Sequence, residues 1–269
     1  MSASKSPLLR HSRDLPFWGM LVVITGGYLV FIVALLWATS TYSSPTDLFQ
    51  ALQSDEIRHS IYLSLLTCTV SALISLLIAV PAGYLLSRSN FRGKALVESA
   101  LDIPIFLPPM VIGLCLLIFF QTPVGHAIES VVPFTYTVFG VIIAQVVIAA
   151  AFAIRTMRGT FDHLSPRPEE VAMTLGCTRG GAVCRVTLPA AWKGMVAAVT
   201  VAWARSLGEF GPILVLAGAT RMKTEVLPTT VWLEMSVGNL EAAVAVSLLM
   251  VGFAIAVLVA FRWMGERGS

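Results

Sequence analysis

Glu170-Val171-Ala172-x3-Gly176-x9-Val186-x-Leu188-Pro189 is a polar-flanked stretch in an otherwise strongly apolar chain, and that contrast decides the fold. Just before it, Ser165-Pro166-Arg167-Pro168-Glu169-Glu170 supplies a capping residue, prolines for a first turn, and carboxylates suited to the positive end of a helix dipole. Val171, Ala172, Leu175 and Gly176 follow at helical spacing on one face. The pattern predicts a short helix from about Glu169 to Leu175, with Gly176 as its left-handed cap or a point of close contact. That helix sits in a polar loop running from Arg155 to Lys193.

Working outward, 57% of the 269 residues are hydrophobic and only 12% charged, with a mean hydropathy of +0.83. Too little polar surface remains to cover a soluble globule. A membrane-crossing helix needs about 20 predominantly apolar residues. Six stretches answer to that: Phe17 to Trp37, Ile61 to Leu86, Leu101 to Phe120, Phe134 to Ile154, Met195 to Leu216 and Ala242 to Phe261. The expected fold is an all-α polytopic membrane protein of about six spans. Asp102, Pro104, Pro108 and Pro109 interrupt the third span, and prolines at membrane depth need neighbouring protein to satisfy the freed backbone, so that span is expected to face the bundle interior. The first apolar run, 21 residues long, exceeds the roughly 7 to 15 of a cleavable signal and reads as a retained anchor.

Lys and Arg set the orientation, because positive loops stay cytoplasmic. An inside amino terminus places fourteen of the eighteen basic residues in the cytoplasm, among them Lys5, Arg10, Arg13, Arg88, Arg92, Lys94 and most of the 155–193 loop. Arg58, Arg221 and Lys223 fall outside, and Arg205 lies within a span. The net charge of +3 thus expresses topology and gives no reason to invoke nucleic acid. The chain divides into a cytoplasmic amino terminus, first span and outer loop (1–59), a membrane core (60–262) carrying the cytoplasmic loop, and a tail (263–269). Ser44 or Thr46 signals a helix start in the outer loop.

Trp18, Trp37, Trp192 and Trp263 stand near predicted span ends, where the lipid interface favours amphipathic rings. Cys68, Cys115, Cys177 and Cys184 read as small buried fillers, and His11, His59, His126 and His163 as surface residues. Neither forms a metal or nucleophile set, no catalytic constellation stands out, and no cofactor is expected. The phosphate-binding G-x-x-x-x-G-K-[ST] pattern is absent from the sequence, so the chain is not itself an ATPase of that type. Arg205 and Glu209 are charged residues near the middle of the fifth span, four apart and able to pair. Gly208, Gly211 and Pro212 favour a break or a close helix crossing beside them.

The stretch quoted first resembles the signature of the inner-membrane permease subunits of bacterial ABC importers, Glu-Ala-Ala, three residues, Gly, nine residues, Ile-x-Leu-Pro. Val171 and Val186 replace an Ala and the Ile. The resemblance implies that Glu170, Val171, Ala172, Gly176, Val186, Leu188 and Pro189 couple the chain to cytoplasmic ATP-binding subunits. Leu101 to Gly113, with Pro108 and Pro109, and Ala204-Arg205-Ser206-Leu207-Gly208-Glu209-Phe210-Gly211 resemble the third-span and fifth-span motifs of molybdate and sulfate permeases. Together these imply a type I ABC importer permease for a tetrahedral oxyanion, molybdate or tungstate ahead of sulfate. Its implied partners are a second permease chain, by default a second copy, and an extracytoplasmic solute-binding protein in the bacterial or archaeal plasma membrane. Pro108, Pro109, Arg205 and Glu209 become candidates for a pathway or gate, with structural glue between spans as the other reading of the Arg205 and Glu209 pair. The alternative class is a secondary transporter or membrane-embedded enzyme, which would need clusters of carboxylates or histidines at membrane depth.

Overall fold

The computed structural model describes residues 15–42 and 45–267. Lys5, Arg10, His11, Arg13 and Ser44 lie outside the described residues, which hold helices and no strand. α1 (Leu15–Ser40) and the short α2 (Pro45–Gln53) precede α3 (Asp55–Arg88), α4 (Lys94–Phe106), α5 (Pro109–Phe120), α6 (Pro123–Glu129) and α7 (Val138–His163). Next come α8 (Arg167–Thr174), α9 (Arg179–Ala182), a π-helical stretch at Val183–Thr187 and α10 (Leu188–Ala190). α11 (Trp192–Leu207), α12 (Gly211–Leu216), α13 (Leu227–Ser236) and α14 (Leu240–Arg267) complete the chain.

Four helices, α1, α3, α7 and α14, are long and apolar enough to cross a membrane, and the number rises to six if each of two bent pairs counts as one span. The third expected span is one of those pairs. α4 and α5 meet at 111° across Leu107 and Pro108. Leu107 and Pro108 each precede a proline, whose ring excludes the helical conformation from its predecessor. They adopt extended backbone instead, with ψ of 141° and 133°. In this chain by itself the third span does not face the interior as expected: α4 buries no residue, and α5 buries Ile112, Gly113 and Phe120.

The fifth span is also divided. Its expected stretch breaks at Gly208 to Phe210, between α11 and α12, and at its other end α11 joins Arg179–Ala190 through a 73° bend. At 16 residues α11 is too short to cross alone, by the roughly 17 to 25 that a span requires. α7 runs nine residues past the expected Ile154, so the polar loop begins as a rigid extension of a span.

The core is a three-helix packing of α3, α7 and α11. Without water between helices in lipid, small residues supply close van der Waals contact. Ala72, Ala79, Ala149, Ala153, Ala198 and Ala202 are buried there. Gly83 marks a close approach of α3 to α7, since a Cβ on it would stand 2.8 Å from the Arg158 amide nitrogen. Trp18, Trp37, Trp192 and Trp263 lie exposed near helix ends, as interface anchors should. Of the cysteines only Cys68 is a buried filler. Cys115 and Cys184 are exposed, because composition does not say which face of a helix a residue takes, and Cys177 is half-buried between α8 and α9.

At the end of the bundle away from residues 155–193, Arg221 pairs with Glu56 of α3 and, at 2.8 Å, with Glu234 of α13. Beside them Glu225 is 0% exposed, and among the described residues neither carboxylate oxygen has a hydrogen-bond partner. The Thr230 hydroxyl nearby donates to the Val226 carbonyl at 3.1 Å. Burial pushes the Glu225 carboxyl above its ordinary value near 4.5, and Glu234 adds to the rise, while Arg221 and His59 pull it down. A carboxyl raised on folding contributes stability that is complete below its unfolded pKa and is lost as pH climbs through the folded one. Thermal stability in detergent should therefore fall as pH rises from about 4.5 towards neutrality. Glu225→Gln should flatten that decline and exceed the wild type most at the high-pH end. Parallel profiles for the two proteins would show that Glu225 carries no such penalty.

Candidate coupling loop and broken spans

The quoted stretch separates into two halves with opposite surroundings. α8 forms where expected, two residues earlier at its start, and ends at Gly176 with φ of +93°, the left-handed conformation that glycine adopts without strain. Gly176 N donates to Met173 O at 3.0 Å and Cys177 N to Ala172 O at 3.1 Å, closing the helix. Glu170, Val171 and Gly176 are exposed, Ala172 is half-buried, and Leu175 is 81% exposed. An apolar pair beside a carboxylate and a glycine thus stands on one outward face. The second half turns partly inward: Val186 lies half-buried in the π-helical stretch and Leu188 packs against the main core, while Pro189, exposed, opens the approach to α11.

Sequence spacing gives Glu169 and Glu170 the same helical turn, but their surroundings differ. Glu170 is exposed, whereas Glu169 is 6% exposed. The Tyr84 hydroxyl of α3 donates to Glu169 Oε1, and the Thr187 hydroxyl donates to Oε2 at 2.9 Å.

The two breaks come together. α12 packs on α5. A Cβ on Gly211 would lie 3.1 Å from Met110 N, and one on Gly113 would lie 2.7 Å from Pro212 Cα. The motif at Pro108 and Pro109 therefore sits at one edge of a glycine-mediated crossing, and the motif at Arg205 and Glu209 at the other. Arg205 Nη2 donates to Glu209 Oε1 at 2.6 Å across the break, with side chains 39% and 2% exposed respectively. The guanidinium also lies over the Phe152 ring of α7, 4.9 Å from its centroid.

Gln145 holds the last turn of α11 in place. Its amide donates to Ser206 O at 3.2 Å and to Cys68 Sγ at 3.7 Å, and its carbonyl accepts from the Ser71 hydroxyl at 2.9 Å. One side chain thereby ties α3, α7 and α11 together just before the break.

The loop thus presents an apolar and acidic face outward and leads into a span broken at an ion pair. The family of binding-protein-dependent transport system inner membrane components matches residues 75–267. The chain belongs to this family. A probable molybdenum ABC transporter permease protein of Haloferax volcanii is 33% identical over 249 residues, 93% of this chain and 91% of the relative. A molybdate/tungstate transport system permease protein of Pyrococcus abyssi is 34% identical over 204 residues, 75% of each chain. A sulfate transport system permease protein of Escherichia coli is 28% identical over 223 residues, 81% of this chain and 80% of that one.

Among solved structures, a bacterial alginate ABC transporter in complex with a periplasmic protein bound to alginate pentasaccharide contains a chain with TM-score 0.75 and 17% identity, covering 98% of both. An inward-facing methionine ABC transporter matches with TM-score 0.64 and 20% identity, over 78% of this chain and 94% of that one. The fold is that of type I ABC importer permeases, and this permease is a multi-pass inner-membrane protein. Family membership sets aside the secondary transporter and the membrane-embedded enzyme. Of the residues that matter to this geometry, Tyr84 and Gln145 belong to no motif in the sequence, and Glu169 is marked there only as a first-turn carboxylate. A lone glutamine in an apolar span was the available signal for Gln145.

Proposed function

We propose that this chain is the permease subunit of an ATP-driven importer for a tetrahedral oxyanion, molybdate or tungstate ahead of sulfate. An extracytoplasmic binding protein would deliver the substrate, and two copies of the chain would form the pathway. The amino terminus and residues 155–193 face the cytoplasm in this reading, which the distribution of Lys and Arg supports. The relatives named for molybdenum, molybdate/tungstate and sulfate transport support the substrate class.

The observation that carries the mechanism is continuity: α8 leads through the π-helical stretch into α11 and so to the Arg205–Glu209 break. Cytoplasmic ATPases closing on ATP would grip Glu170, Val171, Leu175 and Gly176 and move α8. Its motion would pass through Val186, Leu188 and Pro189 to the crossing of α5 and α12, where Pro108, Pro109, Arg205 and Glu209 would form the gate. A half-exposed Arg205 would offer a positive charge to a passing oxyanion, held by Glu209 so that release stays fast.

Purification from native membranes should bring down an ATP-binding subunit. In proteoliposomes the loaded binding protein should stimulate ATP hydrolysis with molybdate or tungstate more than with sulfate. A single cysteine at position 170, in a background without the four native cysteines, should resist membrane-impermeant labelling in intact cells while one at position 55 reacts. The reverse labelling pattern, or purification without any ATPase, would overturn the reading; stronger stimulation by sulfate would reassign the substrate.

A further inference from the structure

We infer that Glu169 is the positioning residue that fastens the coupling helix to two spans at once, a role that rests on the permease reading above. One observation concerns its carboxylate, and two more concern the surroundings that hold it. Its oxygens are divided between elements, one accepting from Tyr84 at the end of α3 and the other from Thr187 at 2.9 Å in the lead-in to α11. The Tyr84 ring is itself held edge-on against Phe161 near the end of α7, with centroids 5.7 Å apart at 89°. Arg88 Nη2, one turn along α3, donates to Leu164 O at 2.8 Å, which pins the turn between α7 and α8 to the same place.

An ionised carboxylate buried to this degree is costly unless its lone pairs are used. Two hydroxyl donors use them, and hydrogen bonds to a charged acceptor are roughly twice as strong as neutral ones. Packing alone would be served by an apolar residue here. What a carboxylate adds is a directional grip on two bodies, so that α8 cannot roll or slide without carrying α3 and α11 with it. Adjacent glutamates thus divide the work: Glu170 faces outward to the ATPase, and Glu169 faces inward to the spans.

The test uses the whole importer in proteoliposomes and reads transport per ATP hydrolysed, together with ATPase retention on purification. Glu169→Ala should keep the ATPase bound and hydrolysing, because the outward face is untouched, yet lower transport per ATP by about tenfold or more, from losing two charge-assisted bonds. Glu169→Gln should recover part of the loss. Tyr84→Phe and Thr187→Val should each cause a smaller loss, and neither should add to Glu169→Ala, since contacts made to one group are not independent. The two hydroxyl deletions carry the test if Glu169→Ala fails to insert. An unchanged ratio in Tyr84→Phe and Thr187→Val, or losses that add to that of Glu169→Ala, would overturn the inference. A wild-type preparation that binds no ATPase would instead remove the permease reading on which it rests.

Discussion

Replacing Gly176 with arginine is expected to abolish coupled transport while leaving a folded, inserted permease. The site lies outside the spans, and a Cβ there meets nothing within 4 Å, so the chain alone has room for a side chain. Two penalties remain. With φ at +93° a non-glycine residue is strained by roughly 1 to 2 kcal/mol, which would fray the end of α8 but leave the bundle intact. The larger effect is steric: Gly176 stands on the same outward face as Val171 and Leu175, and glycine there allows a partner backbone to approach closely. An arginine would hold the ATPase away from that face. Gly176→Ala separates the two effects, since it carries the strain with almost no bulk and should lose only a small part of transport. The measurement is ATPase retention on purification together with uptake in proteoliposomes. Wild-type uptake and retention in Gly176→Arg would show that this face is not the coupling surface.

How far the sequence discloses this molecule depends on which force sets each feature. The long apolar runs are legible because membrane insertion reads hydropathy locally: α1, α3 and α14 contain their expected spans, and α7 holds all but the first four residues of its own. Pro108 and Pro109 announce a break because proline acts on its immediate neighbours. The 111° angle is not legible, since it depends on where α5 finds a partner, and that partner, α12, lies about a hundred residues away. The same distinction separates Glu169 from Glu170. Both suit the first turn of a helix by dipole and propensity, and which of them is buried depends on where Tyr84 and Thr187, on other elements, come to lie. Cys115 failed as a filler for a related reason, because lipid tails and protein interior are equally apolar and composition cannot tell one face of α5 from the other.

Arg205→Lys is expected to leave the importer assembled and to reduce substrate transport sharply. Three features of the site lead there. Glu209 is buried, and Arg205 Nη2 reaches it at 2.6 Å across the break between α11 and α12, a contact that an ammonium can keep in part. The remainder of the guanidinium is committed differently: it lies 4.9 Å over the Phe152 ring, and the side chain as a whole is 39% exposed. Lysine keeps the charge but loses the planar fork that binds an oxyanion through two parallel donors and stacks on an aromatic face. If Arg205 lines the route, transport should fall about tenfold or more, the loss of a bidentate contact worth on the order of 1.5 to 3 kcal/mol. Detergent stability and ATPase retention should barely change. If the residue is structural glue between the halves of a broken span, the order reverses and assembly fails first. Glu209→Gln sharpens the distinction. It leaves the cation without its counter-charge, so on the pathway reading the oxyanion should bind more tightly and leave more slowly, lowering KM and kcat together. Unchanged transport and assembly in both variants would show that neither role depends on the pair.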